Sequence, residues 1–129
     1  MRPGQFWAVQ LTDGSFGALR ILGVPAFGEI DRVGQIVGVM DWTGPAEPTS
    51  DELAGCKVLM RASCRHDAVS MNGGRILGLR PLDLDAIVPA DPTSMDEVWG
   101  RHVWGSRAVV GAVERALQAR TTRGEPLGG

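Results

Sequence analysis

The chain carries a single lysine, Lys57, and only two cysteines, Cys56 and Cys64, among its 129 residues. Two cysteines are too few for a disulfide-stapled scaffold, and they read as free thiols of a reducing compartment. No apolar run approaches the ~18 residues that a transmembrane helix needs, so no membrane-spanning helix is expected. Met1-Arg2-Pro3-Gly4 leads straight into a patterned strand, not into the apolar stretch of a secretory leader. A cytoplasmic location follows as the expectation.

The usual catalytic patterns are missing as well. Neither G-x-G-x-x-G nor a Walker sequence surrounds Gly14 or Gly73-Gly74, which removes a phosphate loop. No G-x-S-x-G frames any serine. Cys56, Cys64, His66 and His102 could offer four ligands to zinc, but there is no C-x2-C pair and His102 stands alone. Cys64, His66 and Asp67 suggest a nucleophile and base, yet residues two apart on a strand or loop need not touch, and a solvated turn fits them better. Asp83-Leu84-Asp85 lacks the third carboxylate and the glycine of a calcium loop. The expectation is a protein without metal, cofactor or enzymatic activity.

What is present points to short strands. Eighteen glycines and eight prolines, spread in ones and twos, suit tight turns and not a helical bundle. Runs at 5–11 and 16–23 flank Asp13-Gly14, whose chemistry predicts a type I′ hairpin with positive φ at both residues. Phe6 and Trp7 then face opposite sides. Further strands are expected at 34–42, 56–61 and 75–79. Thr49 and Glu52 form a capping box for a short helix at 49–54, stopped by Gly55. Val109, Val113 and Leu117 mark the apolar stripe of a helix over 106–120, capped by Ser106. The expected architecture is mainly β (α+β): an SH3-like, strongly bent antiparallel sheet or half-open barrel of about five strands, with the C-terminal helix covering an open face or edge. Residues 1–120 make one domain and 121–129 a flexible tail.

Trp7 and Trp42 fall in strands and are expected in the core. Trp99 and Trp104 sit in a polar, glycine-bearing segment. They either pin it to the sheet or anchor a partner, and pinning is favoured because large exposed apolar patches are rare.

Charge is unevenly divided. Residues 1–99 hold 8 Lys+Arg against 13 Asp+Glu, and residues 100–129 hold 5 against 2. An acidic body repels a phosphate backbone and attracts a basic partner. The acidic residues gather at Asp41, Glu47, Asp51 and Glu52, and again at Asp83, Asp85, Asp91, Asp96 and Glu97. These nine are the candidate partner-binding residues, with solubilising loops as the plainer reading.

Arg2-Pro3-Gly4-Gln5-Phe6-Trp7, followed by Leu11-Thr12-Asp13-Gly14, resembles the opening of the bacterial immunity protein 26 family. Pro48 to Leu53 and Gly74 to Leu82 occupy the places of that family's short helix and final glycine-rich strand. The resemblance covers roughly residues 2–82. Gln5 replaces the family's usual acidic residue and Gln10 its usual proline. It implies an immunity or antitoxin-like protein that neutralises a bacterial toxin by direct binding, with no catalytic residues to carry over. Two alternatives stay open. One is a nucleic-acid-binding barrel using Arg101, Arg107, Arg115, Arg120 and Arg123, and the other is an enzyme of unrecognised type. The oligomeric state is left open.

Overall fold

The computed structural model describes residues 2–24, 35–64, 75–89, 102–104 and 109–124. Strands β1 (Gln5–Gln10), β2 (Phe16–Gly23) and β3 (Gln35–Gly44) form an antiparallel meander. A 3₁₀ turn at Asp51–Leu53 precedes β4 (Val58–Cys64), which pairs antiparallel with β3. β5 (Gly78–Leu79) returns to the free side of β1, and a second 3₁₀ turn follows at Leu82–Asp85. β6 (His102–Trp104) lies parallel to β4, and helix α1 runs from Val109 to Gly124. The strand order is β5-β1-β2-β3-β4-β6, and the sheet does not close. The mainly β class with one C-terminal helix is what forms.

Alternation along the strands sorts the core into two sides. Trp7, Val9, Leu19, Ile21, Val37 and Val39 face α1 and meet Val109, Ala112, Val113, Ala116 and Leu117. Phe6, Ala18 and Met40 face the other way, over Leu53. Leu22 and Ile36 share that second side with Leu82. Phe6 and Trp7 are therefore both buried on opposite faces, as the period of two requires. Trp42 is half-buried at the edge of the second cluster.

Helix α1 comes close to the sheet over Gly17. A Cβ placed there would lie 2.6 Å from Cγ1 of Val113. Gly17→Ala should therefore force the helix away and cost about 1–3 kcal/mol, the usual range for overpacking. Urea denaturation would read it, and a loss near zero would mean that the contact yields freely. Glu114, the next residue of the helix, fastens the same part of the interface. Its Oε2 accepts the Thr12 N–H (2.8 Å) and the Thr12 hydroxyl (2.7 Å), tying the helix to the hairpin loop.

Several boundaries differ from the sequence expectation, each for a physical reason. The hairpin is not type I′. Gly14 has φ +91°, and Asp13 is not left-handed. The loop is instead the three residues Thr12–Gly14, closed by Leu11 N–H to Ser15 O (2.7 Å) and Gly14 N–H to Leu11 O (3.0 Å). Asp13 stabilises it by accepting the Ser15 N–H and hydroxyl (2.9 and 2.6 Å). β5 is two residues long rather than five.

β6 is a strand where a loop was expected. It arises by pairing with β4, since His-Val-Trp carries no alternation of its own. The helix continues to Gly124, four residues past its expected end. No breaker stands between Gly111 and Gly124, and Thr121 and Thr122 lower helix propensity only by a few tenths of a kcal/mol. Ser106, the expected cap, Trp99 and residues 125–129 lie outside the described residues.

Candidate functional site

The side of the sheet away from α1 carries an arginine where an aliphatic residue would be expected. β2 reads Phe-Gly-Ala-Leu-Arg-Ile-Leu-Gly, and its alternation turns Arg20 inward beside Ala18 and Leu22. Arg20 is 0% exposed. An unpaired charge in such a place would cost several kcal/mol, so a counter-ion is required. Asp85 supplies it. Arg20 Nη1 meets Asp85 Oδ2 at 2.8 Å, while Nη2 donates to the carbonyls of Arg80 and Pro81.

Arg80 completes the group. Its Nε lies 2.8 Å from Asp85 Oδ2 and its Nη2 3.0 Å from Oδ1, a bidentate fork. The Gly55 N–H adds a fourth bond, to Oδ1 at 2.9 Å. Asp85 thus accepts four hydrogen bonds, which fills the lone-pair capacity of a carboxylate. The Arg80 fork holds its carboxyl well below the usual range against the opposing effect of burial, with help from Gly55 and Arg20. The same bonds raise the Arg80 pKa.

This removes Asp85 from the partner-facing set, since its side chain is 1% exposed. The cause is the 3₁₀ turn. With three residues per turn, Leu82 and Asp85 share one face and point inward, leaving Asp83 and Leu84 outside. Read as an extended Asp-x-Asp, the two carboxylates would have shared a side. The missed signal was Arg20, a lone charge in an otherwise apolar strand.

The network also answers where the two acidic stretches lie. Asp85 bonds to Gly55, and Arg80 reaches Ser50 Oγ at 3.5 Å, so residues 50–55 and 80–85 are neighbours. Asp51 and Asp83 are exposed there. Glu52 is exposed too, but its Oε1 accepts the Thr49 N–H at 2.9 Å, and the Glu52 N–H donates to Thr49 Oγ at 3.3 Å. That is the expected capping box. Glu47 lies 3.6 Å from Arg75 on the surface. Asp41 is half-buried in β3. Asp91, Asp96 and Glu97 lie outside the described residues.

Cations temper this acidity. Arg20, Arg80 and Asp85 together leave one net positive charge beneath the surface, Arg75 faces Glu47, and Lys57 is exposed nearby. Four exposed carboxylates are therefore largely offset. Apolar exposure is the sharper feature. Leu79, Leu84 and Val88, at 38%, 61% and 70%, are the large exposed apolar residues among those described, and all fall within ten residues. Beside them, Pro3, Leu79, Pro81, Leu82, Ile87 and Pro89 line a groove of about 370 Å³ that Asp83 and Arg2 also border.

Little nucleophilic chemistry is offered nearby. Burial pushes the Cys56 thiol up, and Asp41 and Asp85 push it further, which disfavours the reactive thiolate. Among the described residues no group of three or more His, Cys, Asp or Glu side chains could hold a metal. His66 lies outside the described residues, as do Arg101 and Arg107 of the basic end, while Arg115 is exposed on α1. No helix of the described residues is long and apolar enough to cross a membrane. No protein-family model matches the chain, nor does any curated protein or solved structure.

Proposed function

We propose that the protein is a non-catalytic binding protein of the immunity or antitoxin kind, which blocks a bacterial toxin by direct contact through residues 79–88 and the carboxylates around them. The observation that carries this reading is the confinement of exposed Leu79, Leu84 and Val88 to one segment, with Asp51, Glu52 and Asp83 beside it. Protein-binding surfaces combine an apolar centre, which supplies most of the affinity, with a polar rim. Here the rim carboxylates, largely offset at long range by neighbouring cations, serve orientation through local pairing with basic groups of the toxin, and charge at a rim acts chiefly on association rate. The family resemblance of residues 2–82 supports the same class of function.

The test is to read the genes neighbouring this one and to co-express the chain with a toxin found there; a neighbourhood without one counts against the proposal. Leu84→Asp with Val88→Asp should abolish protection, and the purified pair should bind at least ~100-fold more weakly, as loss of a hot-spot cluster does. Reversing Asp51, Glu52 and Asp83 to lysine, with Asp85 left alone, should mainly slow association. Full protection by a folded Leu84/Val88 variant would refute the proposal. Salt-sensitive binding to RNA or DNA would favour the nucleic-acid alternative.

A further inference from the structure

We infer that Asp85 is a positioning residue: the Arg20–Asp85–Arg80 cluster is a latch that fixes the segment presenting Leu84 and Val88, and so serves partner binding from inside the protein. This rests on the reading of residues 79–88 as the contact surface. The segment has little of its own to hold it. Its 3₁₀ turn is closed by Leu84 N–H to Pro81 O at 3.2 Å and Ala86 N–H to Asp83 O at 3.3 Å, long bonds of a helix type with poor hydrogen-bond geometry, followed by Ile87 N–H to Leu82 O at 3.1 Å and Arg61 Nη2 to Val88 O at 3.3 Å. Ala86 then takes a left-handed conformation, φ +57°, which an L side chain adopts at a cost. Among the described residues, Leu82 and Ile87 anchor it apolarly, against Leu22, Ile36 and Val58 and the cluster of Phe6, Met40 and Leu53.

The latch adds what the backbone lacks. Through Asp85 the segment is bonded to β2, to Gly55 and to Arg80 at once, and Arg20 also grips the carbonyls of Arg80 and Pro81. Two distant parts of the chain, β2 and Gly55, therefore converge with Arg80 of the segment itself on one carboxylate. With the latch closed, Leu84 and Val88 stand ready, and a partner need not order them on arrival. With it open, the turn would fray while the sheet beneath, packed on α1, stays folded.

Amide hydrogen exchange on the whole chain separates this from a general stabilising role. Asp85→Asn keeps the shape of the side chain and removes its charge. Arg80→Gln is a milder variant that leaves Arg20–Asp85 in place, and it decides the matter by the same criterion where the first does not fold. Exchange at Leu84, Ala86 and Ile87 should quicken at least tenfold more than exchange in β2 and β3. Equal acceleration everywhere, or none in these three amides, overturns the latch. The measurement needs no partner, so it fails or succeeds apart from the binding proposal. A confirmed latch together with full toxin protection by Leu84→Asp/Val88→Asp would instead refute the contact surface.

Discussion

Asp85→Ala should cost roughly 3–5 kcal/mol, the range for breaking a buried ion pair by removing one partner. The loss arises because Arg20, 0% exposed, would keep its charge with no carboxylate to meet it. Total stabilities of small domains run about 5–15 kcal/mol, so the variant should keep its sheet folded with a much thinner margin. Arg20→Met combined with Asp85→Leu should fall short of that loss, because the fully buried charge is gone and Arg80, whose side chain is 13% exposed, can turn its guanidinium to water. Urea titration of both variants checks this. An Asp85→Ala variant within about 1 kcal/mol of wild type would mean that water or local movement compensates Arg20.

The pH dependence follows from the same bonds. The native carboxyl of Asp85 is held below its unfolded value, chiefly by the Arg80 fork. A depressed native pKa contributes stability that is fully present above the unfolded value of about 3.9 and drains away as pH falls below it. The wild type should therefore lose stability steadily on acidification below about pH 4, and the double apolar variant should lose less over that interval. Near neutral pH the ion pair stays intact and its strength is insensitive to small pH changes.

The sequence disclosed what is local. β1 and β2 were legible because two alternating apolar runs flank Asp13-Gly14, and the capping box because Thr49 and Glu52 stand three apart. The α1 stripe was legible for the same reason, since Val109, Val113 and Leu117 recur at the helical period and are all buried. Pairings distant in sequence left no such trace. Arg20 and Asp85 are separated by 65 residues. β6 gains its extended form only by lying against β4, so nothing in His102–Trp104 announces it. The acidic stretches were visible as composition, but their contact depended on Asp85 turning inward. One residue, Arg20, held the clue to that turn, because a buried strand cannot keep a lone guanidinium.

Gly4 should prove the least replaceable glycine of the described chain. Its φ is +99°, and a Cβ there would lie 2.7 Å from the Arg80 carbonyl oxygen, a backbone atom that cannot swing aside. The residue also joins two ladders: its N–H donates to Ile21 O at 2.8 Å, and its carbonyl accepts the Arg80 N–H at 3.0 Å. Moving Arg80 to make room would disturb the fork on Asp85 as well. Gly14 gives the comparison needed. It has a similar φ of +91° but nothing within 4 Å of its added Cβ. Gly14→Ala should cost about 1 kcal/mol, the conformational part alone. Gly4→Ala should cost about 2–4 kcal/mol, because strain and the collision with Arg80 act together. Denaturant midpoints of the two variants, measured side by side, isolate the collision. Equal losses would show that the Arg80 backbone yields, and that the register of Gly4 against it is not what fixes the base of the 80–88 segment.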